Sequence, residues 1–364
     1  MPDALKNMYD SKFVHQLAET IQRHHSSLDK ETLQTLVLDK NWEARELKSR
    51  MQHISRSIHL CLDMSYLDAL EIIKLTAPSF SGGFEGMIFP DYVEQFGQGH
   101  WEHSIKALEE LTIYSSAEFA VRPFIIKAPD EMMKQMLEWS EHPDQHVRRL
   151  ASEGCRPRLP WAMALPQFKD DPSLILPILK NLKQDSSDYV RRSVANNLND
   201  IAKDNPDITI KTAKAWQGQH PNTDKLVKHG LRTLLKRGNK DALKLIGTHR
   251  SEHIKRANLI LENSQLTIGD TLLLHADISG GAEELGQLRI EYHIDFVKKS
   301  GAHSRKTFKL AEGNYTTKDR QFSKKHSLRQ MSTRTHYPGI HNVTLVINGE
   351  KKSEVKFNLT ESNI

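Results

Sequence analysis

One internal repetition constrains this chain more than anything else in it. Asp144-Gln-His-Val-Arg-Arg-Leu-Ala151 aligns with Ser187-Asp-Tyr-Val-Arg-Arg-Ser-Val-Ala195 when Val147 is set on Val190, an offset of 43 residues. A further step of 37 sets Val190 on Val227, Arg191 on Lys228 and Leu198 on Leu235. An apolar residue, a basic pair, a small residue and then a leucine, recurring at about 40 residues, describe a helical unit that cannot bury its apolar face alone. Such units stack on their neighbours into a solenoid. The spacing predicts Val147, Val190 and Val227 facing inward, with the basic residues after them along one edge. Three ordinary amphipathic helices with surface arginines would show the same residues without the common register.

The repeat resembles the second helix of HEAT units, and its surroundings are helical too. Apolar residues recur at spacings of three and four in Phe13–Ile21, Ile54–Leu62, Tyr66–Leu75, Ile105–Ile113 and Met132–Trp139, the period of a helix with one buried face. Pro78, Ser81-Gly82-Gly83, Pro129, Pro143 and Pro206 punctuate them. After Leu261 the period shortens. Leu266–Ile278, Leu288–Val297, Thr307–Leu310 and Val343–Ile347 read as strands, and Asn348-Gly349 is the residue pair of a tight hairpin turn. About seven short strands in roughly 100 residues fit an immunoglobulin-like sandwich. In Pro338-Gly-Ile-His-Asn-Val343, His341 and Val343 stand where antibody domains carry Tyr and Cys, so burial alone must join the sheets. The expected fold is mainly α: a HEAT-like solenoid over 1–258, then a small all-β immunoglobulin-like sandwich over 262–364.

Charge is unevenly distributed. Residues 1–140 hold 14 Lys/Arg against 21 Asp/Glu, residues 141–260 hold 22 against 13, 261–297 hold 1 against 7, and 298–334 hold 11 against 2. Two basic blocks separated by acidic stretches suggest a polyanion gripped from two sides; solvated faces that happen to cluster are the plainer reading. No apolar run approaches the roughly 18 residues of a membrane span, and the start of the chain lacks an apolar signal segment. Two distant cysteines, Cys61 and Cys155, argue against a disulfide framework and suit a reducing, cytoplasmic setting.

Familiar catalytic signatures are missing. Ser81-Gly-Gly-Phe-Glu-Gly86 lacks the Gly-Lys-Ser/Thr of a phosphate loop and reads as a plain interhelical loop. His249 and His253 have helical i, i+4 spacing but no third ligand, so no metal and no other cofactor is expected. Two segments exceed what packing requires. Ser115-Ser-Ala-Glu-Phe-Ala-Val-Arg-Pro-Phe-Ile125 puts Glu118 and Arg122 one helical turn apart on one face. Val147–Trp161 opens as a repeat helix and then breaks into a Gly/Pro/Arg loop ending in Trp161.

These two runs, with Leu5-Lys-Asn-Met-Tyr9, Tyr292-His-Ile-Asp-Phe-Val-Lys-Lys-Ser-Gly301 and Lys306-Thr-Phe-Lys309, resemble the characteristic segments of the AlkC family of DNA glycosylases. The resemblance implies excision of cationic bases such as 3-methyladenine, 3-methylcytosine and 1-methyladenine, leaving an abasic site, without flipping the base into a pocket. It implies duplex DNA containing alkylated bases as the partner, with no membrane and no obligate protein partner. The residues agree with that chemistry. A cationic base leaves without a general acid, and the oxocarbenium-like sugar left behind needs an anion and a positioned water. Glu118 and Glu153, each close to arginines, are the carboxylates expected to serve, with Trp161 offering an aromatic face. The alternative is a salt bridge for each glutamate and a core role for Trp161. Arg122, Arg148, Arg149, Arg156, Arg158, Arg191, Arg192 and Lys228 are the phosphate-binding candidates of the helical part. Lys298, Lys299, Arg305 and Lys306, at a hairpin tip, are those of the sandwich. The competing functions are a DNA-binding HEAT protein without activity and a protein-binding scaffold.

Overall fold

In a computed structural model describing residues 5–247, 251–331 and 335–361, the chain is mainly helical up to Leu245 and then all-β. The helices form where the periodicity placed them. Helix Ser11–His24 buries Phe13, Val14, Leu17, Ala18 and Ile21, and its N-cap Asp10 accepts from the Phe13 amide. Helix Leu47–Leu62 buries Met51, Ile54, Ile58 and Leu62. Ser65 caps Tyr66–Thr76 through the Asp68 amide, and Pro129 opens Pro129–Trp139, where a missing N–H costs nothing.

The repeat is real at the level of packing. Val147, Val190 and Val227 are fully buried, in helices Gln145–Gly154, Asp188–Asp204 and Pro221–Gly230, and the middle helix packs against both others. No helix among the described residues is long and apolar enough to cross a membrane. Compactness does not follow the change of period. One unit comprises residues 1–209 and 218–230, the other 210–217 and 231–364.

Within the second unit the strands begin at Arg256, ahead of Leu261, and eight are formed among the described residues where about seven were expected. They are β1 (Arg256–Leu261), β2 (Gln265–Thr267), β3 (Thr271–Ser279), β4 (Gly286–Val297), β5 (His303–Tyr315), β6 (Asp319–Ser327), β7 (Gly339–Ile347) and β8 (Glu350–Thr360). Sheet order is β1-β3-β6 in one layer and β2-β8-β7-β4-β5 in the other, antiparallel except for β2 beside β8. Alternate residues of β3, Leu272 to Ile278, meet Leu288, Ile290, Tyr292, Ile294 and Phe296 of β4 and Val343, Leu345 and Ile347 of β7 in one apolar core. Asn348 and Gly349 both have positive φ, 50° and 79°, as a two-residue hairpin turn requires. His341 is fully buried, and burial holds its ring below the ordinary histidine range. The neutral ring donates from Nε2 to the Tyr337 carbonyl at 3.1 Å and accepts the Val297 amide at Nδ1 at 3.3 Å. Histidine thus makes the bond that tyrosine makes at a sandwich corner.

Candidate active site

The short segment Ser115–Val121 runs into helix Arg122–Lys127 and carries Glu118 in a turn, not on a helix. The expected one-turn pairing of Glu118 with Arg122 is therefore replaced by a longer connection. Glu118 accepts from Ser116 Oγ at 2.9 Å and is in tight ion-pair contact with Arg149 of the first repeat helix. Arg149 Nη1 also donates to Ser116 Oγ at 2.7 Å. Its guanidinium lies over the Tyr189 ring, 4.9 Å from the centroid, and reaches Glu153 at 3.5 Å on the other side. Burial pulls that guanidinium down, but the two carboxylates outweigh it and hold it above its ordinary range.

Glu118, Arg149 and Tyr189 line a cavity of about 410 Å³ together with His146, Ser116 and Phe84. The loop Ser81–Gly86, expected to be plain, is part of its wall. The Gly82 amide donates to the Tyr114 carbonyl at 3.0 Å, and Ser115 Oγ donates to the Gly83 carbonyl at 3.2 Å. A Cβ on Gly86 would meet the Phe80 carbonyl at 2.8 Å, so only glycine allows this approach. The Phe84 and Trp161 rings meet edge to face, centroids 6.2 Å apart. Trp161 itself is 60% exposed, which is unusual for an indole, and its φ of 64° lies in the left-handed region that a bulky residue rarely occupies.

Glu153 stands behind this surface. It is buried, accepts from Arg156 Nη1 and Ser193 Oγ at 2.6 Å each, and is not among the residues lining the cavity. The charges continue inward: Arg156 Nε reaches Asp200 at 2.9 Å, and Asp200 meets Lys203 at 2.9 Å. Glu118, Arg149, Glu153, Arg156, Asp200 and Lys203 form one chain of alternating sign whose acidic end opens into the cavity.

Residues 105–243 match the family model described as DNA alkylation repair enzyme, and residues 255–361 match the C-terminal Ig-like domain of the uncharacterised protein YhaZ. The chain is 45% identical over 355 residues to protein YhaZ of Bacillus subtilis, covering 97% of this chain and 98% of that one. It superimposes on the alkylpurine DNA glycosylase AlkC of Pseudomonas fluorescens, bound to DNA containing an abasic site analog. The TM-score is 0.93 at 32% identity, over 98% of this chain and 99% of that one. This chain belongs to the AlkC family of DNA alkylation repair enzymes.

In this AlkC family member the expected basic residues fall into distinct environments. Arg122 and Arg156 cannot serve phosphate as expected, because both are buried. Arg122 donates from Nε to the Met163 carbonyl at 2.7 Å and from Nη1 to the carbonyls of Gly154 and Arg156 at 2.8 and 3.0 Å. Burial pulls its guanidinium down to about 10. Arg148 and Arg191 are tied to the turns before their own helices: Arg148 Nη1 to the carbonyls of His142 and Pro143, Arg191 Nη1 to those of Asp185 and Ser186. Arg148 also grips Asp185 through two bonds. Arg158 pairs with Asp204 and stays partly exposed, Arg192 pairs with the exposed Asp188, and Lys228 is exposed. In the sandwich, Lys298 and Lys299 enter the turn between β4 and β5, where the Lys298 amide donates to the Ala302 carbonyl at 2.8 Å. Lys306 is exposed on β5, whereas Arg305 is bound to Asp295 at 2.7 and 2.8 Å.

The sequence reading missed His146 and Tyr189. They occupy the same repeat position, just before Val147 and Val190, and their rings meet at 5.8 Å. The alignment displays that pair, but its register drew attention to the arginines. Of the two histidines weighed as metal ligands, His249 lies outside the described residues. His253 sits in a turn, where Nε2 is 2.9 Å from the Leu285 carbonyl.

Proposed function

We propose that this protein is a monofunctional glycosylase that hydrolyses the N-glycosidic bond of cationic alkylated bases in duplex DNA, with Glu118 as the anion that stabilises the sugar cation. The observation that carries this reading is a carboxylate on the wall of an open cavity, whose Phe84 packs on an exposed Trp161, in a chain that superimposes on an alkylpurine DNA glycosylase. A carboxylate near phosphate is repelled, so a site that keeps one needs a reason for it. Here Arg149 and Ser116 hold Glu118 in place, and a fixed anion gains energy as positive charge moves from base to sugar. Trp161 offers its face to the deoxyribose or to the cationic base. Glu153, out of reach of the cavity, acts by orienting Arg149. In this reading the lesion is approached in the stacked helix, without flipping. Arg192 and Lys228 meet phosphates in the helical unit, and Lys298, Lys299 and Lys306 do so at the sandwich tip, holding the duplex without reading its sequence; Arg158, like Arg305, is already held by two bonds to a carboxylate.

The test is mass spectrometry of bases released from DNA treated with a methylating agent. Free 3-methyladenine and 3-methylcytosine, with an intact abasic strand, are expected. Strand cleavage through a covalent enzyme intermediate would contradict the monofunctional assignment. Tight binding without base release would leave a DNA-binding protein.

A further inference from the structure

Trp161 is held in an unfavourable backbone conformation with most of its indole in solvent. Burial of its own ring does not hold it there, so the surrounding structure must. Two side chains bond to its loop. Arg122 clamps both ends of the loop that carries it: Nη1 takes the carbonyls of Gly154 and Arg156 on entry, and Nε takes the carbonyl of Met163 just after Trp161. Lys48, distant in sequence, donates from Nζ to the carbonyl of Trp161 itself at 3.1 Å. The same ammonium lies 4.7 Å from the centroid of the Phe119 ring, the residue after Glu118. Behind it are Asp91 and Glu94; burial pushes Glu94 up to about 7, with Asp91 adding to the rise and Lys48 opposing it.

We propose that Arg122 and Lys48 are positioning residues that fix Trp161 relative to Glu118. Both grip the Trp161 loop on one side and the 118–122 segment on the other, Arg122 as a member of that segment and Lys48 through Phe119. Arg122 has a buried Nη2 with no partner among the described residues. Such an unsatisfied donor is tolerated where the rest of the guanidinium is fixed by good bonds. This inference rests on reading Trp161 as a DNA-facing side chain, and it assigns to Arg122 a role incompatible with phosphate binding.

The experiment uses the full-length protein with Arg122→Lys and Lys48→Met, each alone and combined with Trp161→Ala. Hydrogen exchange of residues 155–165 without DNA reads the clamp, and single-turnover base release from methylated DNA reads its consequence. Faster exchange in that segment is expected, with excision slowed roughly 10- to 100-fold by the misplaced aromatic. In the Trp161→Ala background the same substitutions should cost nothing further, because residues acting through a shared partner are not additive. Unchanged exchange would overturn the clamp whatever the activity, and a full additional loss beside Trp161→Ala would show that these residues act elsewhere. If Trp161→Ala alone excises normally, the reading of Trp161 fails, while the exchange result still decides the clamp. Should Arg122→Lys not fold, Lys48→Met decides, since Lys48 is only half-buried and touches the loop at one carbonyl.

Discussion

The two Val-Arg-Arg repeats begin alike and end differently. Arg148 and Arg191, the first arginines, bend back to the carbonyls five and six residues upstream, closing the same turn in each unit. The second arginines part company. Arg149 is enclosed between Glu118 and Glu153 above Tyr189, while the Arg192 side chain is 69% exposed beside an equally exposed Asp188. The first position of the pair therefore belongs to the repeat and the second is available for function. Departure from the repeat's own pattern marks the site better than the basic pair itself.

Glu118→Gln strikes the element that only the first repeat has. It keeps size and one hydrogen bond while deleting the charge. Excision should fall by roughly 10²–10³ in single-turnover assays, as for loss of one electrostatic contact made in the transition state. Affinity for lesion-bearing DNA should hold or improve. A parallel loss of binding and activity with early melting would reassign Glu118 to structure and erase the distinction between the repeats.

Arg149→Ala removes the cation of Glu118 and leaves Glu153 to Arg156 alone. Removing one partner from a buried ionic network typically costs about 3–5 kcal/mol, so a large fall in denaturant midpoint is expected along with lost activity. Arg148→Ala and Arg191→Ala should resemble each other more closely, each losing charged hydrogen bonds to turn carbonyls, about 1.5–3 kcal/mol. Arg148→Ala should be the worse of the two, since Asp185 loses its bidentate partner as well. If Arg191→Ala instead weakens DNA binding and spares stability, the first arginine is not the repeat's own fastening.

Much of this fold was legible because it is periodic. Val147, Val190 and Val227 announced the stacked helices, and Asn348-Gly349 announced the last hairpin, because local rules of spacing and turn chemistry suffice for both. The site was legible only in part. Glu118 stands out in the sequence for its neighbour Arg122, whereas its ion-pair partner Arg149 lies 31 residues away and depends on how two elements dock. Arg156 and Arg122 counted as surface cations in the tally of charge, since composition cannot distinguish an arginine facing solvent from one satisfied by Asp200 or by carbonyls. The Gly82-Gly83 loop joins the site through tertiary packing, which leaves no spacing to read.

The smallest effects test whether an exposed cation differs from one that already has a carboxylate, across both parts of the molecule. Neutralising one phosphate contact changes the slope of log affinity against log salt by about 0.9 for duplex DNA. Lys299→Ala should flatten the slope by about that much, because Lys299 is exposed in the β4–β5 turn with no ion-pair partner among the described residues. Arg305→Ala, a few residues on, should change it little, since two bonds to Asp295 already neutralise that guanidinium. In the helical unit Arg192→Ala should fall nearer Lys299→Ala, because its pairing with an exposed Asp188 is weak enough for phosphate to replace. All three should leave the unfolding midpoint almost unchanged. Equal slopes for Lys299→Ala and Arg305→Ala would mean that Asp295 releases its arginine to DNA, and that partnership in the free protein does not decide which cations bind.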